Sequence, residues 1–292
     1  MRLLIKFNLV FLLVFLVGLG ASAYVSWTLL QQNARDETIQ EARLVLEMAL
    51  STRSYTSTQI RPLLVEQMQE KFLPQSVPAY SAGAVVDGVR KQFPEYSYRE
   101  ATLNPTNPRN RAVDWEADII SVFRNSADSK EIIAERDTPT GRVLYIARPM
   151  RVAEPACLVC HSTADVAPKS MIDYYGAANG FGWKLNEVIG AQVVAVPTAV
   201  PYQRAMKAFQ VFVLSLTVVF LGFGIVGNLM LWRVVISPVT RLAKLADRVS
   251  LGEMDAPEFI VKSRDEIGVL TESFSRMRKG LAQAMKMLEG GS

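Results

Sequence analysis

Cys157, Cys160 and His161 form the pattern in this sequence that points most directly to a specific chemistry. They are the only two cysteines and the only histidine among 292 residues, and they read Cys-x-x-Cys-His. A two-residue gap lets two thiols add across the two vinyl groups of one haem, and the adjacent imidazole then reaches the iron. The pattern predicts one covalent c-type haem, attached through Cys157 and Cys160, with His161 as axial iron ligand.

Two other uses of a Cys-x-x-Cys pair fit this sequence less well. A structural zinc site needs about four ligands, and the chain has no further cysteine or histidine to supply them. A redox-active pair usually opens a helix within a βαβ unit, and no such unit is evident around Cys157. Two cysteines are also too few for a disulfide scaffold.

The far side of the iron has several candidate ligands. The single histidine excludes a second imidazole from the same chain. Met48 is the preferred candidate because it falls on the first helix after the first apolar segment, although a core methionine is the commoner use of this residue. The other candidates are Met150, Met171, a tyrosine, a lysine, water, or no ligand. Arg53, Arg148 and Arg151 are candidate partners for haem propionates or, equally, solvated surface arginines.

Two apolar segments are long enough to cross a membrane. Half of all residues are hydrophobic, and residues 7–30 and 208–232 carry no charge, where about 20 apolar residues suffice for a span. Arginines and lysines before the first and after the second segment favour cytoplasmic termini. We therefore expect a two-pass protein of the bacterial inner membrane with residues 31–207 in the periplasm. Alternatively, Ala21-Ser22-Ala23 is a signal-peptidase site and the first span is removed.

The exported segment, residues 31–207, has the mixed pattern of an α+β domain. Residues 37–71 predict a helix, or two helices separated near Pro62. Residues 111–125 predict an amphipathic helix. Residues 142–152 and 191–196 are rich in β-branched residues and predict strands. The cluster Asn104-Pro105-Thr106-Asn107-Pro108 predicts a turn.

Residues 233–288 contain two apolar heptad patterns. The first seam consists of Val239, Leu242, Ala246 and Val249, and the second consists of Ile267, Leu270, Phe274, Met277, Leu281, Ala284 and Leu288. Each seam is too narrow to form a globular core. Two such helices from each of two chains predict a homodimeric parallel four-helix bundle. Helices lying on the membrane surface are the alternative, but the polar faces here mix acids and bases.

Several short sequences resemble known families. Pro238-Val239-Thr240-Arg241-Leu242, Leu251-Gly252-Glu253-Met254 and Asp265-Glu266-Ile267-Gly268 resemble the HAMP linker of bacterial receptors. Arg53-Ser54-Tyr55-Thr56, Tyr98-Arg99-Glu100-Ala101, the Asn104 turn and Gly180-Phe181-Gly182-Trp183 resemble sensor domains of PAS-like fold with a single c-type haem. The resemblance implies a haem on one face of a sheet, a dimer, and sensing of redox state or a haem ligand.

These features predict a sensor rather than an enzyme. The haem responds to a redox change or to O2, NO or CO, and the HAMP linker passes the response across the membrane. The chain ends soon after the linker, so we expect a separate kinase or receptor to provide the output. The alternative function is a membrane-anchored electron-transfer cytochrome, which does not need a HAMP linker. No basic patch with interleaved aromatic residues indicates a nucleic-acid partner.

Overall fold

The computed structural model describes residues 3–126, 128–139, 141–253 and 265–289. It divides into two compact units. One unit contains residues 27–208, and the other contains residues 1–26 and 209–292. The sheet and the Cys-x-x-Cys-His pattern belong to the first, and the apolar helical segments and C-terminal helices belong to the second.

The N-terminal part of the chain is almost entirely helical. Helix α1 spans Leu3–Tyr55, a π-helical segment spans Thr56–Ile60, and α2 spans Arg61–Glu70. Of the two predicted alternatives, the structure shows one continuous helix with a π-helical irregularity just before Pro62, not two separated helices. Pro62 lies in the first turn of α2, directly after the π segment. Since proline has no N–H to donate, the regular α-helical hydrogen bonding is interrupted at this point although the helix continues.

A four-stranded antiparallel sheet forms the centre of the 27–208 unit. Its strands are β1 Ser97–Thr102, β2 Ile132–Thr138, β3 Gly141–Arg151 and β4 Val188–Pro197, in the order β1-β4-β3-β2. The two predicted strands are confirmed as β3 and β4. Strands β1 and β2 were not predicted because ionic side chains interrupt their apolar pattern, as Arg99 and Glu100 do in β1.

Helices cover both faces of this sheet. On one face, α1 and α3 (Pro78–Arg90) pack against side chains such as Tyr98, Ile146 and Val194. On the other face, α4 (Asp114–Asn125) packs through Ile120 and Phe123. Successive strand residues point to opposite faces, so each strand contributes to both clusters. The amphipathic helix predicted at residues 111–125 is confirmed as α4.

The connection between β3 and β4, residues 152–187, carries the Cys-x-x-Cys-His pattern. It contains a 3-10 turn at Pro155–Cys157, the one-turn helix α5 at Leu158–His161, and α6 at Lys169–Tyr175. A small apolar cluster of Phe72, Ala167 and Met171 lies against this connection. Since β3 and β4 are the two central strands, both ends of the connection are fixed by sheet hydrogen bonds.

The second unit contains two antiparallel apolar helical segments. Helix α7 spans Ala199–Met230, and both α1 and the helix containing α7 are long and apolar enough to cross a membrane. Three contacts define the register between them: Asn8 with Asn228, Phe11 with Gly224, and Phe15 with Phe220. The residue numbers in each pair sum to 235 or 236, as expected for one uninterrupted antiparallel register.

The C-terminal helices pack on each other through part of the predicted seams. A π-helical segment, Leu231–Ile236, leads into α8 (Ser237–Ser250), and α9 spans Glu266–Glu289. Leu242 and Val249 are buried as predicted, but Leu245 rather than Ala246 is the buried residue between them. In α9, the seam residues Leu270, Met277 and Leu281 are exposed. Met254, Gly290-Gly291-Ser292 and the side chain of Leu288 lie outside the described residues.

Candidate functional site

A single helical turn brings the two thiols and the imidazole together. Pro155 starts a 3-10 turn, and the Cys157 N–H closes it on the Glu154 carbonyl at 3.1 Å. Helix α5 follows directly. Because residues three and four apart lie on the same side of a helix, Cys157, Cys160 and His161 project from one face. Both thiols are free and half-buried.

His161 is held in one tautomer by its surroundings. Its Nδ1 lies 2.8 Å from the Gly180 carbonyl oxygen, and a carbonyl only accepts, so Nδ1 carries the proton. Nε2 therefore presents a lone pair, the usual arrangement of a histidine that ligates a metal. Burial lowers the pKa of His161, and nearby Arg61 acts in the same direction, although the Gly180 carbonyl opposes them. Burial and Arg61 together favour the neutral imidazole.

Two loops distant in sequence fix the Gly180 carbonyl. The Asn104 side chain accepts from the Gly180 N–H at 3.2 Å and donates to the Phe181 carbonyl at 3.4 Å. Gly180 has a φ of +88°, and a Cβ there would lie 2.0 Å from Thr106 Oγ1. Only glycine fits this position. The predicted turn at residues 104–108 thus holds the loop whose Gly180 carbonyl bonds to His161.

The indole of Trp183 packs against the imidazole of His161. Its ring stacks on His161 with centroids 3.8 Å apart and an interplanar angle of 15°. The backbone N–H of Trp183 also donates to the backbone carbonyl of His161 at 3.2 Å. One ring face of His161 is covered, and its Nδ1 edge is occupied by Gly180. The orientation of Nε2 is therefore set by stacking and hydrogen bonding together.

Two arginines from the N-terminal helices approach the cysteines. Arg61 lies beside Cys160, where burial raises the pKa of the thiol and the guanidinium acts in the opposite direction. Arg53 lies close enough to Cys157 to interact with it electrostatically. An α-helix places residues seven apart on one side, and the π segment adds one residue. Arg53 and Arg61, eight apart, therefore fall on the same side of the helix.

The remaining predicted site residues lie in other surroundings. Met48 packs against the cluster formed by α1, α3 and the sheet, whereas Cys160 packs with Met171 on the smaller one. Arg148 donates to Glu47 at 2.7 Å and to Glu131 at 3.0 Å. These contacts do not test ligation by Met48 or propionate binding by Arg148, and both stay predictions.

The donor set fits a haem better than a zinc ion. Within the described ranges, no three His, Cys, Asp or Glu side chains are grouped to hold a metal ion, so zinc lacks a complete ligand set. A covalent haem requires only two thiols and one imidazole. Cys157, Cys160 and the Nε2 atom of His161 supply those three groups from one helical turn.

Comparisons with known proteins agree with this division into a site-bearing unit and C-terminal helices. The HAMP domain family matches residues 230–283. The crystal structure of the cyanobacterial heme-protein Tll0287 is similar, with 14% sequence identity, a TM-score of 0.40, and coverage of 56% of this chain and 93% of that one. No curated protein matches the chain. The Tll0287-like family matches residues 31–197 of the 292, more than half of the chain, and the protein belongs to that family.

Proposed function

We propose that this protein is a membrane-anchored sensor that carries one covalent c-type haem on Cys157 and Cys160, with His161 as axial ligand. The observation that carries the proposal is the hydrogen bond from His161 Nδ1 to the Gly180 carbonyl. It directs the free lone pair of Nε2 outward from the same helical turn that presents both thiols. Membership of a family named for Tll0287, which a solved structure describes as a heme-protein, supports it.

A haem at this position supplies a one-electron couple and a second coordination position on the iron. The chain's own residues set both properties. His161 would provide the iron ligand, Gly180 and Trp183 orient it, and burial favours its neutral form. The signal in this proposal is the redox state or the binding of O2, NO or CO, since each acts at the iron. The chain is then a receptor and not an enzyme.

The two apolar segments anchor this domain in the proposal. No residue in the most apolar 18-residue window of either segment is buried by the rest of the described chain, which leaves both segments open to contact with lipid. Basic residues outside them favour cytoplasmic termini. The site-bearing unit, which we take as PAS-like, would then lie in the periplasm of a bacterial inner-membrane protein, the compartment in which c-type haem is attached.

The C-terminal helices transmit the signal in this proposal. Leu270, Met277 and Leu281 are exposed on α9 in one chain. A second pair of helices would cover them, which favours a homodimeric four-helix bundle. A bundle with two packings would bias a separate kinase or receptor. The electron-transfer cytochrome is the second candidate, and the HAMP match favours the sensor.

The haem assignment is tested with the full-length protein made in cells that have a c-type maturation system. We expect its haem to resist acid-acetone extraction, because thioether bonds are covalent. Cys157→Ala combined with Cys160→Ala should release all haem to the solvent. Haem that stays covalently bound in this double variant would overturn the assignment.

Sensor and electron carrier differ in whether the C-terminal helices respond to the haem. Single cysteines at Leu242 or Phe274 are cross-linked in membranes with a bis-maleimide, with the haem held oxidised or reduced. The sensor predicts cross-linking between chains that changes with haem state, while Arg276→Cys, on an exposed position, serves as control. The carrier predicts identical yields in both states.

A further inference from the structure

Arg53 and Glu100 form an ion pair that lies mostly out of solvent. The Arg53 side chain is 29% exposed and the Glu100 side chain only 4%. Burial by itself disfavours the guanidinium charge, but Glu100 and Tyr98 outweigh it and raise the pKa of Arg53. The arginine is therefore a fixed positive charge, and Cys157 is among the groups close enough to interact with it.

The carboxylate is held from two directions. Arg53, on the last turn of α1, donates to one Glu100 oxygen, and the Tyr98 hydroxyl donates to the other at 2.7 Å. Gln192 faces Glu100 across the β1–β4 pairing and bonds to Tyr98. The charge of Arg53 is thus fixed relative to strands β1 and β4.

Stability alone is a weak reason for burying this pair. Removing two charges from water costs about as much as their attraction returns, and apolar residues of similar size often stabilise a fold as well. Buried charges next to a chemical centre commonly tune it instead. The chemical centre within electrostatic range of Arg53 is Cys157, one of the two cysteines to which haem is attached in the proposed function.

We propose that Glu100 is a positioning residue that holds the charged Arg53 in place, and that this pair sets the reduction potential of a haem on Cys157 and Cys160. The inference rests on the proposed function. Reduction adds one electron and lowers the charge of the iron, so a nearby cation favours the reduced haem and a nearby anion the oxidised one. Glu100 has two opposed effects: it fixes the cation and partly offsets its charge.

The proposal predicts shifts of opposite sign, measured by spectroelectrochemical titration of the full-length protein. Arg53→Gln leaves the Glu100 anion alone, so the midpoint potential should fall. Glu100→Gln leaves the Arg53 cation without its counter-charge, so the potential should rise. The double variant should return towards the wild-type value. A merely structural role would admit water in either single variant and move both potentials in the same direction.

The other face of the sheet provides a matched control. Arg99 donates to Glu116 at 2.7 and 3.2 Å, and the Glu116 side chain is 1% exposed. Arg99 neighbours Glu100 on β1 but points to the opposite face. Arg99→Gln and Glu116→Gln should therefore leave the potential nearly unchanged, although they remove an ion pair of the same kind.

A further pair of variants covers the case in which Glu100→Gln fails to fold. Arg53→Lys keeps the charge and should keep most of the potential that Arg53→Gln loses. Equal potentials in the two Arg53 variants, or single-variant shifts of the same sign, would overturn this inference alone. Absence of covalent haem from the wild-type protein would instead overturn the proposed function.

Discussion

Two polar arrangements in this molecule use hydrogen bonds for different ends. In the 27–208 unit, His161 donates a hydrogen bond from Nδ1 to the Gly180 carbonyl, and its Nε2 is left to bind a ligand. Between the apolar helical segments, Asn8 and Asn228 bond to each other in both directions, at 2.9 and 2.7 Å. The first arrangement prepares an atom for a ligand, and the second satisfies its amides internally and fixes a register.

The difference reflects the environment of each group. In the proposed membrane placement, an unpaired amide loses the hydrogen bonds that water would supply, so reciprocal pairing is the stable solution for Asn8 and Asn228. His161 is only half-buried, so leaving its Nε2 without a hydrogen bond costs little free energy. Binding of a metal ion to Nε2 would satisfy that lone pair. Changes at either place should therefore have separable effects.

The largest expected effect comes from Gly180→Ala. The positive φ and the contact with Thr106 Oγ1 act together, and we expect a loss of about 2–4 kcal/mol in the unfolding free energy, with reduced covalent haem. Gly182→Ala is the control, because Gly182 has a φ of +80° but open space around a Cβ; it should lose about 1 kcal/mol. Equal losses in chemical unfolding would show that the close contact with Thr106 does not matter.

Asn104→Ala should have a smaller effect on the same loop. It removes the two hydrogen bonds to Gly180 and Phe181, worth about 1–2 kcal/mol together, and frees the carbonyl that orients His161. We expect a lower unfolding midpoint and a broadened haem spectrum. Asn107→Ala changes the same residue type in the same turn, and Asn107 bonds to the Arg109 N–H and to Tyr175 rather than to Gly180 or Phe181. A spectrum altered equally by both variants would argue against this role for Asn104.

Asn8→Leu tests the other arrangement. It removes both bonds between Asn8 and Asn228, so the Asn228 oxygen loses its donor while its NH2 group still donates to the Gly224 carbonyl at 2.9 Å. The helix contact should weaken by about 1 kcal/mol. The measurement is cross-linking in membranes between cysteines at Phe15 and Phe220, whose rings lie 4.6 Å apart. The double variant Asn8→Leu, Asn228→Leu should recover part of the yield, because neither amide is then left unpaired. Haem attachment should not change in either variant.

Acid should produce the smallest effect, and only in the 27–208 unit. Burial acts against ionisation of Glu131, but bonds from Arg43 and Arg148 outweigh it and lower its pKa. A lowered folded pKa means that the stabilisation is present above the unfolded pKa and is lost as pH falls through the folded one. In Glu131→Gln, the midpoint of thermal unfolding should therefore fall less steeply as the pH is lowered than in the wild-type protein. The cross-linking yield between cysteines at Phe15 and Phe220 should not show this acid-dependent decrease.

The C-terminal helices show which structural features a heptad pattern can predict and which it cannot. The seam correctly predicted two helices and the burial of Leu242 and Val249. It did not predict that Leu245 is buried, since a repeat read along one helix does not reveal where the neighbouring helix crosses it. The dimeric bundle stays a prediction, because the described contacts belong to one chain.

What the sequence determined by itself was local. The spacing of Cys157, Cys160 and His161, the two apolar segments, the helix at α4 and the β-rich strands β3 and β4 depend on residues a few positions apart, and periodicity and spacing report such relations directly. The turn at residues 104–108 and the glycine-containing stretch at residues 180–183 were also recognisable, but only as separate pieces.

Only the tertiary structure decided which of these pieces meet. Asn104 reaches Gly180 across 76 residues, and Arg53 reaches Glu100 across 47. Neither partner carries a local signal, because a lone asparagine in a turn and a lone glutamate in a strand each suit a solvent-exposed surface equally well. The antiparallel sheet brings β1 beside β4 and the β3–β4 connection beside the Asn104 turn. The environment of His161, and hence its free Nε2, arises from that pairing.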